Sequence, residues 1–341
     1  MRGADRTPAW AYPLWPRGLC FLGASRLRAA LYQRRLFGSV RLPRPAVSVG
    51  NLTFGGTGKT PVTLALARLL QEMGEKPAIL LRGYGRQSRG ARLVSQDSPP
   101  QAVGEEALLL ARNLPGVPVA VGERREEAAA LVPGDTSVFL LDDAFQHLRV
   151  ARDLDVLLVD ASRPGDLHAP PGGRLREPLS AARRAGLILV TRGGPGDMPP
   201  ALKPRAVGIP AAGARFEWEP ELQPAGAGAL RDWSGRRVLL AAGVGNAASF
   251  LSQAAEAGFD PGRALLLPDH AWPTPERIAQ VLDRLAREKC EAVLVTEKDA
   301  VKWAPLWAAP QPLLWCRLKT AFEDPSGHLR MALESALGRG V

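Results

Sequence analysis

Six consecutive residues, Gly-Gly-Thr-Gly-Lys-Thr at 55–60, have the types needed to hold a phosphate. Phosphate oxygens need several backbone N–H donors converging at close range. Only glycine lets a main chain approach that tightly, and the first turn of a following helix adds positive potential. Gly55, Gly56, Thr57 and Gly58 supply the main chain, Lys59 the cation for the outer phosphates of a nucleotide, and Thr60 a hydroxyl for Mg²⁺. The flanks suit this role: AVSVGN (46–51) reads as a buried strand and 60–73 as an amphipathic helix with Pro61 just inside its start. In the pattern G-x-x-x-x-G-K-[ST] the first glycine position holds Thr53. That departure costs little, since the first glycine chiefly eases the turn.

Further candidates lie downstream. The apolar run TSVFLLDDAFQH ends in Asp142 and Asp143, where a protein with such a loop keeps its Mg²⁺-coordinating acid. Taken alone, a strand-end Asp is as readily a cap on the next turn. With the loop upstream, Asp142, Asp143 and Thr60 are the candidate metal ligands. Glu105 and Glu106 open the helix VGEEALLLARNL, where the helix dipole favours acids. His270, before Ala-Trp-Pro, reads by itself as a turn residue, and His168 and His328 fit no pattern. Cys20, Cys290 and Cys316 are too scattered for a zinc site or a disulfide framework, which fits a reducing compartment. Gly243-Val-Gly-Asn is only a weak phosphate-turn signal. TEKD (296–299) approaches the guanine-reading [NT]-K-x-D, but Glu297 separates Thr from Lys, so GTP is not indicated.

The elements around these residues form an α/β pattern. KPAILLRGYG, VPVAVG, TSVFLLDD, LDVLLVDA and AGLILVTRG are apolar runs alternating with helical segments, which predicts a parallel sheet covered on both faces. From residue 197 Pro, Ala and Gly accumulate, and ARFEWEPEL alternates as an exposed strand does. A linker is read at 206–235. A second α/β unit follows, closed by a helix in PSGHLRMALESAL. The 341 residues suit two domains.

The net charge is +10, but residues 1–45 hold nine Arg against Asp5, a net +8 that leaves +2 for the rest. A nucleic-acid binder would have a basic body as well, so that class is set aside. The N-terminal arm mixes Trp, Tyr and Phe with Arg and has no uncharged run near the roughly 20 residues that span a bilayer. Leu27 and Leu31 lie four apart, with Arg28, Arg34 and Arg35 for a polar side, as in a helix lying in a membrane interface. A helix packed on its own domain reads almost the same. GLCFLGA could pass for the apolar core of a signal peptide, but a nucleotide loop so soon afterwards argues against secretion.

In order, GNLTFGGTGKTP, RGYGR, DDAFQH, PGGRLREP, LPDH and TEKDAVK resemble the tetraacyldisaccharide 4′-kinase (lipid A 4′-kinase) family over about residues 10–325. The resemblance implies ATP- and Mg²⁺-dependent phosphorylation of the 4′-hydroxyl of a lipid disaccharide 1-phosphate at the cytoplasmic face of a Gram-negative inner membrane, by a monomer. The implied fold is a P-loop NTPase-type parallel-sheet domain (41–205), a linker (206–235) and a smaller α/β domain (236–341) whose C-terminal helix can pack back on the first. A membrane-associating arm (1–40) precedes them. It assigns Lys59 and Thr60 to the phosphates and metal, and Asp142 and Asp143 to the acidic pair. It also brings in His147, Arg176, Glu177, Asp166 and, by a weaker match, Arg125 around the site. His270 matches a His that pairs with the carboxylate accepting the sugar hydroxyl proton. Two positions depart: Ala144 replaces a Gly, and Gly104-Glu105-Glu106-Ala107 stands where the family has G-D-E-P. Glu105 is thus expected to be the base, one methylene longer than Asp.

Overall fold

The computed structural model describes residues 15–224 and 226–339. The first part of the chain contains α1 (Trp15–Gln33), β1 (Ala46–Asn51), α2 (Lys59–Glu72), β2 (Pro77–Leu81), β3 (Arg92–Val94), α3 (Pro100–Val103), α4 (Glu105–Asn113), β4 (Val119–Val121), α5 (Arg125–Ala129), β5 (Val138–Asp142), β6 (Leu154–Asp160) and β7 (Leu187–Thr191). The second contains β8 (Ala211–Gln223), α6 (Leu230–Trp233), β9 (Val238–Ala242), α7 (Ala247–Glu256), β10 (Ala264–Leu266), α8 (Pro275–Glu288), β11 (Ala292–Thr296), α9 (Glu297–Trp303), β12 (Leu313–Glu323) and α10 (His328–Ala336). One twelve-stranded sheet joins them, in the order β10-β9-β11-β12-β8-β7-β6-β1-β5-β2-β4-β3.

The continuous apolar runs are explained by burial on both faces. Successive strand residues point to opposite sides: Val47 and Val49, Ile79 and Leu81 enter one core, and Ala46, Ala78 and Leu80 enter another. In the second half Val293 and Val295 face one layer, and Ala292 and Leu294 the other. β2 to β7 and β9 to β11 pair in parallel, apart from the edge strand β3 on β4.

The stretch 206–235 read as a linker contains β8, a thirteen-residue strand within the sheet. Its first residues continue the parallel order of the first half, Ile188 to Thr191 pairing with Ala211 to Ala214. Its remaining length runs antiparallel to β12, from Glu323 opposite Gly213 to Trp315 opposite Gln223. The start of β12 then pairs in parallel with β11, Leu313 to Cys316 beside Val293 to Thr296. The strands of the second half therefore run opposite to those of the first and sit further along the ribbon. The carboxyl ends of the two sets face each other, and loops at such ends are where α/β sheets place their ligands.

α10 returns to the first half, where Leu329 and Leu333 enter the core with Val47, Leu64 and Val156. α1 lies on it too: Leu22 and Ala29 are buried, and Leu22 packs with Phe145 and Leu175. Leu19, Phe21 and Leu27 of α1 remain exposed. Residues 1–14 of the expected arm lie outside the described residues. Among the described residues, no helix is long and apolar enough to cross a membrane. Leu333 is wholly buried, so Leu333→Ala should lower stability by roughly 2–5 kcal/mol in urea denaturation. A loss below about 0.5 kcal/mol, typical of a surface change, would mean that α10 does not belong to this core.

Candidate active site

The loop after β1 is a rigid cradle. Gly55 and Gly58 adopt φ of +110° and +87°, conformations that favour glycine, and Gly58 caps α2. A β-carbon at Gly58 would strike the ring of Phe216 on β8. Thr57 is buried: its hydroxyl accepts from Asn51 Nδ2 at 2.9 Å, and its carbonyl accepts from Thr191 Oγ1 at 3.0 Å. Thr53 carries no strain. It forms a bridge with Leu175, and Phe54 N donates to Arg174 O at 2.7 Å. Lys59 and Thr60 form the first turn of α2, where a phosphate would meet free N–H groups.

The acidic pair faces this turn from the end of β5. Asp142 is buried and its Oδ1 accepts from Thr63 Oγ1 at 3.1 Å. Burial, with Glu106 and Asp143 nearby, pushes its pKa up to about 7. Asp143 sits 3.5 Å from Lys59 Nζ and receives Arg176 Nη1 at 2.9 and 3.1 Å. Burial works to raise its pKa, but Lys59 and then Arg176 outweigh it and hold the carboxyl below its ordinary range. Arg176 also lies 5.0 Å over the ring of Phe54. Arg125 is buried behind the pair, its guanidinium donating to Gly122 O at 3.0 Å and Asp142 O at 3.3 Å. It braces the strand end and does not face the cleft. Burial, with Arg125 adding, pulls the pKa of His147 down to about 4, so its imidazole is neutral at pH 7.

Glu105 and His270, 165 residues apart, meet across the two halves with Nδ1 and Oε1 2.6 Å apart. Glu105 begins α4 and is buried. His270 follows β10 and is about a third exposed, with a left-handed backbone at φ +61°. Burial works to raise the pKa of Glu105, yet the His270 hydrogen bond, Lys298 and Lys302 bring it down to about 2. An ionised carboxylate only accepts, so Nδ1 carries a proton, and Nε2 is the ring nitrogen not engaged by Glu105. The turn Gly243–Asn246 completes the junction: a β-carbon on Gly245 would lie 3.0 Å from Gly56 N and 2.9 Å from Asp269 Oδ2. Asp269, next to His270 in sequence, thus lies beside Gly245, which almost touches the loop at Gly56.

The remaining expected residues divide. Glu106 reaches Lys298 Nζ at 3.1 Å beside Glu105. Asp166 faces Arg163 Nε at 3.8 Å, and Arg163 in turn donates to Gly245 O at 3.0 Å. Glu177 is buried and held by Arg184 at 2.5 Å, away from solvent. Sequence reasoning passed over Arg192, which has φ +58°, meets Asp160 at 2.6 Å, Ser249 Oγ at 3.1 Å and Gly56 O at 3.4 Å, and lies over the Phe216 ring. It also passed over Lys298 and Lys302. Their sequence signal was TEKDAVK, which carried the family resemblance without a role for either lysine, and TEKD within it was weighed only for reading a guanine base.

The low pKa of Glu105 has a consequence for stability. It lies below the 4.5 of an unperturbed glutamate, so ionised Glu105 adds stability that is complete above about pH 4.5 and is lost as pH falls toward 2. The separation corresponds to on the order of 3 kcal/mol. Glu105→Gln should thus be less stable than the parent at pH 7 in urea melts, and the gap should narrow by pH 3. A gap independent of pH would mean that the carboxylate is not held this way.

Comparison with known proteins identifies the family. A family model described as tetraacyldisaccharide-1-P 4′-kinase matches residues 10–337. A tetraacyldisaccharide 4′-kinase of Pelobacter propionicus is 40% identical over 328 residues, covering 92% of this chain and 89% of the relative. One of Anaeromyxobacter dehalogenans is 41% identical over 304 residues, covering 85% and 80%. A crystal structure of LpxK from Aquifex aeolicus, described as in complex with ATP, superposes with a TM-score of 0.72 at 27% identity, covering 95% of this chain and 98% of that one. A family model that matches almost the whole chain, and relatives about 40% identical over most of their own length, place this protein in the tetraacyldisaccharide-1-P 4′-kinase family, the ATP-dependent kinases of lipid A biosynthesis.

Proposed function

We propose that this chain transfers the γ-phosphoryl group of ATP to the 4′-hydroxyl of a tetraacyldisaccharide 1-phosphate by in-line displacement. The observation that carries the mechanism is the 2.6 Å contact between Glu105 and His270 across the cleft beside the phosphate loop. The loop N–H groups and Lys59 hold the β- and γ-phosphates and balance the charge that develops on them.

The donor set fits Mg²⁺. Asp142 and Asp143 offer hard carboxylate oxygens and Thr60 a hydroxyl, and burial, with Glu106 and Asp143 adding, raises the pKa of Asp142. Asp142, Asp143 and Thr60 would hold the ion beside the bound nucleotide. When bound, the metal neutralises phosphate charge. The chain's own part is to hold Asp143 in place through Arg176 and to brace Asp142 through Arg125.

The proton of the acceptor hydroxyl goes to the Glu105–His270 pair. Sequence reading placed it on Glu105. The geometry favours His270 Nε2 as the receiving atom, because both oxygens of Glu105 are engaged by His270, Lys298 and Lys302 and the side chain is buried. As the 4′-oxygen bonds to phosphorus, its proton passes to Nε2 and the bond to the bridging oxygen breaks with its electron pair on ADP. Glu105 then stabilises the imidazolium. Because the two residues belong to different halves, closure of the cleft completes the pair and excludes water that would otherwise waste ATP.

The acceptor's four acyl chains keep it in a bilayer, so the enzyme must work at a surface. The exposed Leu19, Phe21 and Leu27 of α1, with Arg26, Arg28, Arg34 and Arg35 nearby in sequence, suit an anionic interface. We place the chain as a monomer on the cytoplasmic face of the inner membrane. Deleting residues 1–37 should sharply reduce binding to anionic vesicles in a flotation assay, and unchanged partitioning would remove the anchor.

For the chemistry, labelled ATP and purified tetraacyldisaccharide 1-phosphate give the direct assay. His270→Asn should lower kcat by about 10²-fold or more. Glu105→Asp should keep more activity than Glu105→Gln. Full turnover by Glu105→Gln would overturn the pair. Label released as free phosphate at a rate indifferent to lipid would point instead to a nucleotide switch that transfers nothing.

A further inference from the structure

The motif TEKDAVK becomes α9 and its first turn, and it encloses the base pair. Lys302 is wholly buried, an unusual position for an ammonium group, with Nζ 2.6 Å from Glu105 Oε2 and 3.4 Å from Asp299 Oδ1. Asp299 is also buried. Its Oδ2 accepts from Gly243 N at 2.9 Å and from Thr296 Oγ1 at 2.7 Å. Gly243 O accepts from His270 N at 3.1 Å, and the His270 ring returns to Glu105. These contacts form a closed ring: Glu105, Lys302, Asp299, Gly243, His270, and Glu105 again. Lys298 adds a second ammonium, 3.1 Å from both Glu105 Oε1 and Glu106 Oε1. At the start of α9, Glu297 Oε1 accepts from Asn113 Nδ2 at the end of α4 at 2.8 Å, so the two helices are joined at both ends.

We propose that Lys302, with Asp299 and assisted by Lys298, forms the positioning frame of the Glu105–His270 pair: the ammonium groups keep Glu105 charged and fixed in the cleft, and Asp299 sets the imidazole through the Gly243 main chain. None of the three touches the reacting atoms. A buried ammonium ordinarily pays a large desolvation cost and is retained only when paired. Here its partner is the carboxylate that must stay ionised to orient His270. All of these partners of Glu105 come from the other half, so the frame exists only when the cleft is closed. This inference rests on the reading of Glu105 and His270 as the proton acceptor.

The charged and titratable groups around the pair are Glu106 on α4, Lys298, Asp299 and Lys302 on α9, Asp269 with Oδ1 3.8 Å from His270 Nε2, and Tyr84, whose ring lies 5.1 Å from the imidazole. Removing the Lys302 charge should let Glu105 take a proton at higher pH and leave an uncompensated carboxylate that also raises the imidazole. Both effects move the acid limb of activity the same way.

Lys302→Met should therefore lower kcat at least tenfold, leave the KM for ATP within about twofold, and move the acid limb of the kcat–pH profile up by about one unit. Lys302→Arg should restore the limb. Lys298→Gln should show the same shift in smaller measure, and it serves as the test if Lys302→Met does not fold. A second readout needs no acceptor: the ¹⁵N shifts of His270 followed against pH, which should titrate higher in the variant. A drop in kcat with neither the limb nor the His270 titration moved would make the lysine merely structural and overturn the proposal, as would unchanged kcat. If His270→Asn keeps full phosphotransfer while the His270 titration still shifts in Lys302→Met, the base reading fails and the frame stands.

Discussion

The antiparallel pairing of β8 with β12 is the constraint on which the rest of the structure depends. Two parallel sheets joined by parallel strands would place all their carboxyl ends on one edge, and the second half would stand beside the phosphate loop without facing it. Apart from the edge strand β3, this is the antiparallel pair of the sheet, and it reverses the second half. Because the parallel partners attach at opposite ends of the pair, β7 on Ala211–Ala214 and β11 on Leu313–Cys316, the reversed half is also displaced along the ribbon. A cleft results, with strand ends on both walls. The ribbon also leans on the loop: Phe216 fills the space beside Gly58, and Thr320 Oγ1 donates to Pro61 O at 3.1 Å.

Across that cleft the charges are divided. The first half supplies the phosphate loop and four acids, Glu105, Glu106, Asp142 and Asp143. The second supplies Lys298, Lys302 and His270. Lys59 and Arg176 of the first half pair with Asp143, and the cations of the second half pair with Glu105 and Glu106; burial makes each pairing count for more than it would in water. Backbone strain gathers at the same place. Asp143, Arg192 and His270 are three of the five non-glycine residues with positive φ among the described residues, and each is held by a charged or hydrogen-bonded partner. Arg192 spans Asp160 on one side and Ser249 of α7 on the other while touching Gly56 O, so the loop and both walls share one guanidinium.

Local pattern was enough to read the strand–loop–helix around Lys59, the acid pair after β5 and the sheet's burial on both faces, because each depends on residues adjacent in sequence. It was incomplete at 206–235. There Pro, Ala and Gly suggested a linker, yet the alternation in ARFEWEPEL already had the period of a strand, and pairing with β7 on one side and with the distant β12 on the other makes β8 an element of the sheet. Lys298 and Lys302 were invisible as site residues for the same reason, since Lys298 meets Glu106 from 192 positions away. Glu105 was singled out through its motif, but its neighbours decide its protonation.

The sequence by itself determined the phosphate loop, the identity of the acids, the α/β class and the basic, aromatic N-terminal arm, since these are written in contiguous residues whose types and periods have one physical use. Tertiary structure alone decided that the second half faces the first, that His270 reaches Glu105, and that Glu105 stays ionised inside the protein. Those outcomes come from strand direction and long-range pairing of buried charges. A short window of sequence carries the groups involved but not the low-dielectric surroundings or the partners that set their protonation.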